Sequence, residues 1–186
     1  MLPAKAQTAG RVEWLPAERL GQFSLDARLR VWLIGKGLLT QRLRSACGGN
    51  FTLRLLDQWS VVLDAEQKAG LRSDDNAGLC RDVEMGNGVE TWVFARSIVP
   101  DSTLSLHPWL AELGDASLGE TLGSLSGVER SSYEFACLPA EHPIARRALQ
   151  RDGGRAAGLW ARRSRLSLRG APILVQELFL PALGRH

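Results

Sequence analysis

Cysteine and histidine are scarce in this 186-residue chain, and neither is arranged for chemistry. Cys47, Cys80 and Cys137 are widely scattered, odd in number and without a CxxC pair, so neither a disulfide framework nor a zinc site follows. His107, His142 and His186 are equally dispersed, two of them beside prolines, and offer no metal or catalytic spacing. Repeats, low-complexity tracts, linkers and a glycine-rich nucleotide loop are missing too. The longest apolar stretches are too short and interrupted to cross a bilayer, and "MLPAKAQTAGRVEWLP" lacks the apolar core of a secretory signal. The expectation is a cytoplasmic protein without membrane insertion, folded as one domain over residues 1–186.

Hydrophobic residues make up 45% of the chain and charged residues 23%, as in ordinary globular proteins. Net charge is +3, but unevenly spread: Arg146 to Arg169 contains eight arginines and a single acid, Asp152, whereas residues 57–90 are acid-rich. Such a stripe suits an anionic partner such as nucleic acid, or else is a face neutralised from within. Its "ARRSR" segment alternates within a predicted strand, and the six tryptophans show no strand-tracking row, so nucleic acid is not expected as a partner.

Periodicity predicts a mixture of helices and strands. "SLDARLRVWLIGKG" reads as an amphipathic helix capped by Ser24 and stopped by Gly35 and Gly37, and "LTQRLRSA" as a short helix ending at Cys47-Gly48-Gly49. "FTLRLL" and "WSVVL" read as two strands, followed by a helix-tending stretch from Asp64 to Asn76. "SLHPWLAELG" and "SLGETLGSL" suit short helices, the second with Ser117 and Glu120 at capping-box spacing. "GVERSSYEFACLP" reads as a strand, and Pro143 opens a helix in "HPIARRALQRDGG".

Two hairpins bear on function. "LCRDVEMGNGVETWVFARSIVP" carries Asn87-Gly88, the strongest short-range hairpin signal. Taken as a two-residue turn, it pairs Arg81 with Phe94 and puts Arg81, Arg96, Trp92 and Phe94 on one sheet face. "LWARRSRLSLRGAPILVQELFLP" folds about Arg169-Gly170, which sets Arg162 opposite Glu177. Glu177 lies in a run of strand residues apolar on both faces, so its strand is central, and an acid there must be paired or poised for a task. An ordinary cross-strand ion pair and a functional carboxylate both fit.

"GLWARRSRLSLRGAPILVQELFLPA" resembles the C-terminal signature of the chorismate pyruvate-lyases, which make 4-hydroxybenzoate for ubiquinone; "WVFARSIVPDSTLS" and "LAELGDASLGETL" resemble two further blocks of that family, in order. The resemblance runs from about Leu29 to Ala182. It implies an α+β domain with an antiparallel sheet and an enclosed pocket under helical flaps, a monomer with chorismate as its small-molecule substrate and no cofactor. By position it implies that Arg81 and the backbone amides of Leu39 and Leu118 bind the ring carboxylate, that Glu177 holds the 4-hydroxyl, and that Arg96 supports, attending the second carboxylate. Leu39 departs from the methionine expected there, a small change for a backbone contact. The alternative is a sensing domain related to the effector-binding domains of bacterial transcription regulators. Those domains accompany a helix-turn-helix module, for which residues 1–30, with one convincing helix, leave no room.

Overall fold

The computed structural model describes residues 12–151, 153 and 156–185; Asp152, Arg155 and His186 lie outside them. In chain order its elements are β1 (Leu15–Pro16), α1 (Ala27–Ile34), α2 (Leu39–Ala46), β2 (Thr52–Val62), α3 (Ala65–Leu71), β3 (Ala77–Gly86), β4 (Thr91–Pro100), α4 (Asp101–Leu106), α5 (Leu118–Gly123), β5 (Val128–Arg130), β6 (Glu134–Pro139), α6 (Pro143–Leu149), β7 (Gly158–Leu168) and β8 (Ala171–Phe179). All eight described strands join one sheet in the order β1-β6-β7-β8-β4-β3-β2, with β5 also on β7, and every pairing is antiparallel. The expected α+β architecture is present.

Local chemistry sets several boundaries. Pro143 opens α6 and Ser117 caps α5, as expected. Asp26 rather than Ser24 caps α1, its carboxylate accepting from the amides of Arg28 at 2.9 Å and Leu29 at 3.1 Å. "FTLRLL" and "WSVVL" form the single strand β2, kinked by a bulge between Leu55 and Asp57. "GVERSSYEFACLP" divides into β5 and β6, which both pair with β7.

The second hairpin is as the sequence suggests: Leu168 pairs with Ala171 and Arg162 with Glu177. Both turn residues have positive φ, 51° at Arg169 and 89° at Gly170, the conformation that matches strand twist. The first hairpin differs. Its turn spans Asn87 to Glu90, where the Asn87 carboxamide accepts from the amides of Val89 and Glu90, and a bulge at Met85/Gly86 precedes it. A side chain on Gly86 would overlap the Glu90 carbonyl. Arg81 consequently pairs with Ser97 and Asp82 with Arg96. Because side-chain direction alternates along a strand, this odd-numbered slip moves Arg96 and Phe94 to the face opposite Arg81.

One face carries the row Val83, Ala95, Glu177, Arg162 and Phe135, and is covered by α1, α2 and α5. The other carries Asp82, Arg96, Gln176 and Arg163, and is covered by α3 and α6. On that second face Asp82, fully buried, forms ion pairs with Arg96 Nε at 2.7 Å and Arg147 Nε at 2.6 Å, and the two guanidinium groups lie over the Trp59 ring. Arg147 also pairs with Asp57, Arg151 with Glu84, and Arg163 with Glu134. Arg147, Arg151 and Arg163 of the arginine stripe are thus neutralised from within by the acids of β2, β3 and β6.

Burial alone raises the Glu84 carboxyl, but hydrogen bonds from Arg151 and Arg54 outweigh it and hold the group below its ordinary 4.5. A depressed folded-state pKa means stability that is complete above 4.5 and lost as pH falls through the folded value. We therefore expect the melting temperature to drop as acid is added below 4.5, and the drop to be shallower in Glu84→Gln. Parallel acid titrations of the two proteins by circular dichroism check this; identical slopes would remove Glu84 from the acid transition.

Candidate functional site

A cavity lies between the first sheet face and the N-terminal turns of α2 and α5. Leu39, Arg81, Arg96, Leu118 and Glu177 all line it, so the structure gathers at one place residues spread over more than half the chain.

Arg81 is 4% exposed. Its Nη2 donates to the carbonyl oxygens of Gly114 at 2.6 Å and Ala116 at 2.8 Å, while Nε is buried without a hydrogen-bond partner among the described residues. It makes no ion pair with a described acid; Asp82, its sequence neighbour, is engaged on the other face. Burial lowers the Arg81 pKa, opposed by the charge of Asp115 in the loop it contacts. Among the described residues this buried cation is held only by neutral oxygens, an arrangement with the chemistry to accept an anion.

Leu39 and Leu118 are the first residues of α2 and α5, where backbone N–H groups have no carbonyl partner within their own helix. The Ser117 hydroxyl caps α5 through the Glu120 amide, whereas Leu38 gives α2 no side-chain cap. The hydroxyls of Thr40 and Ser117 lie 2.9 Å apart and bind the two helix starts to each other. The starts of two helices and one guanidinium therefore share the cavity wall.

Glu177 lies across the strand from Arg162, whose Nε donates to Oε2 at 2.5 Å. Arg162 is fully buried, stacked over Tyr133 at 4.3 Å and near Phe179 at 5.6 Å. The ion pair and the cavity position are both real, so the two readings of this acid are compatible.

Arg96 needs correction. It reaches the cavity wall, but it does not share a face with Arg81, and both arms of its guanidinium chelate Asp82 at 2.7 and 2.8 Å. Trp92 packs in the cluster that includes Val83 and Met85, while Phe94 packs against α6. Sequence reading did not single out Thr40, Tyr133 or Arg130 in the lining. Ser117, noted only as a cap, turns out to line the cavity as well; for Thr40, Tyr133 and Arg130 no local pattern carried a signal. Burial raises all three thiols, Cys80 to about 12, so none is activated as a nucleophile.

Comparison with known proteins bears on family and fold. The family model described as chorismate lyase matches residues 8–184. A probable chorismate pyruvate-lyase of Pseudomonas aeruginosa (strain UCBPP-PA14) is 37% identical over 172 residues, covering 91% of this chain and 92% of that one. One from Nitrosospira multiformis is 34% identical, covering 92% and 94%. Among solved structures, the effector domain of PhnF from Mycobacterium smegmatis superposes with a TM-score of 0.56 at 16% identity, over 80% of this chain and 91% of that one. The C-terminal domain of the histidine utilization repressor from Pseudomonas syringae pv. tomato gives 0.55 at 13% identity, over 73% and 94%. These two share the fold alone, whereas the sequence matches extend over nearly the whole length, and the chain belongs to the chorismate lyase family.

Proposed function

We propose that Arg81 and the amides of Leu39 and Leu118 bind the ring carboxylate of chorismate, and that Glu177 holds the ring hydroxyl while the side arm leaves. The chain is a chorismate pyruvate-lyase, converting chorismate to 4-hydroxybenzoate and pyruvate. The reading takes it as a cytoplasmic monomer that supplies 4-hydroxybenzoate for ubiquinone. One observation carries the site assignment: a buried guanidinium with no acid partner among the described residues lines the same cavity as a buried carboxylate.

Chorismate is a dianion with a ring carboxylate, an enolpyruvyl ether and a neighbouring hydroxyl. The ether bond to the ring breaks, the hydrogen on the hydroxyl-bearing carbon ends on the methylene of the arm, and the ring becomes aromatic. Atoms balance without a further reactant, and aromatisation drives the change. The protein's part is to fix the ring at both ends, so that the ether is held in a reactive conformation, and to keep water away. Arg81 offers a planar fork suited to a carboxylate, supplemented by helix-start amides. Glu177 accepts from the hydroxyl while Arg162 Nε donates to its Oε2. Since Arg96 is chelated by Asp82, its part is to brace β4 beneath the site and not to bind the second carboxylate.

Replacing Glu177 with Gln keeps the shape and removes the charge. A charge-assisted hydrogen bond is worth roughly 1.5–3 kcal/mol, so turnover should fall about tenfold to a hundredfold. Pyruvate release from chorismate measures it, and full activity would remove Glu177 from the mechanism. In Arg81→Lys the charge stays but the fork is lost, and affinity for 4-hydroxybenzoate should weaken by about tenfold or more. Titration calorimetry reports this; unchanged affinity would refute the clamp.

A further inference from the structure

Arg162 has more partners than an ion pair requires. Besides Glu177, its Nη1 donates to the carbonyl oxygens of Leu33 at 3.0 Å and of Trp32 and Gly35 at 3.3 Å, the last turn and stop of α1. Arg42 of α2 adds bonds to Val31 at 2.8 Å and Trp32 at 3.2 Å. These carbonyls form the negative end of α1, where cations are favoured. Three residues beyond Gly35 the chain reaches Leu38 and then the Leu39 amide at the cavity wall. A side chain on Gly35 would overlap the Arg42 guanidinium, which shows how closely this junction is packed.

We infer that Arg162 is a positioning residue. One arm of its guanidinium aims the Glu177 carboxylate into the cavity, and the other fixes the α1–α2 junction that delivers the Leu39 amide. Only a planar, forked cation spans both sets of oxygens at once; a lysine ammonium on a flexible stem reaches one or the other. The guanidinium also lies over the Tyr133 ring at 4.3 Å and near the Phe179 ring at 5.6 Å, contacts that restrict its motion. The two ends of the substrate site are thereby set by one side chain that need not touch substrate. This inference rests on the proposed role of Glu177 toward the ring hydroxyl.

The test is discrimination between 4-hydroxybenzoate and benzoate, which differ only in the hydroxyl. A site built to bond that hydroxyl should prefer 4-hydroxybenzoate by about tenfold or more. In Arg162→Lys and Arg162→Gln, each checked for a cooperative melt, the preference should shrink to about threefold or less, with benzoate affinity also reduced but by less than that of 4-hydroxybenzoate, because both ends of the site lose their support. If both ligands weaken in proportion, Arg162 is a structural residue only and the inference fails; an unchanged preference overturns it as well. Should neither variant fold, Gly35→Ala displaces Arg42 and loads the same junction without touching the buried pair; affinity for benzoate, which senses only the carboxylate end, should fall by about threefold or more, and an unaltered benzoate affinity overturns the junction's role. Glu177→Gln is measured alongside. A preference that survives Glu177→Gln refutes the underlying role of Glu177, whereas loss there with none in the Arg162 variants refutes only the positioning role.

Discussion

Pairing parity across β4 governs the site. Arg81 on β3 and Glu177 on β8 are separated by one strand, and they share a face because Arg81 pairs with Ser97 while Glu177 pairs with Ala95. A slip by a single residue in either ladder would turn one of them to the opposite face and separate the cation from the acid. The Met85/Gly86 bulge and the Asn87–Glu90 turn hold that parity, so a turn at the far end of the strands decides the chemistry of the cavity.

The two faces of the sheet use charge differently. On the α3/α6 face every named guanidinium meets a carboxylate: Arg96 and Arg147 on Asp82, Arg151 on Glu84, Arg163 on Glu134. Buried charges there are paired, which is the condition for keeping them out of water. On the cavity face Glu177 is paired with Arg162, but Arg81 rests on two carbonyl oxygens and has no acid partner among the described residues. That asymmetry separates a bracing network from a receptor for an anionic substrate, and it is the physical content of the proposed carboxylate clamp.

Family membership and fold likeness carry different weight here. The PhnF effector domain and the repressor's C-terminal domain share the fold at 16% identity or less, which speaks to architecture only. The chorismate lyase match spans residues 8–184 and includes the strands that bear Arg81 and Glu177.

By itself the sequence determined the elements whose cause is local: Pro143 at the start of α6, the Ser117 cap of α5, and the β7–β8 hairpin, whose two-residue turn fixes Arg162 against Glu177. It misplaced Arg96, since Asn87-Gly88 does not reveal that the turn takes two more residues and a bulge. Only the tertiary structure decided that the α2 and α5 starts meet over Arg81, that Thr40 bonds Ser117 across 77 positions of chain, and that Arg162 reaches back to α1. Such contacts join residues remote in sequence through packing of whole helices on a sheet, and no local pattern of side chains encodes which faces will meet.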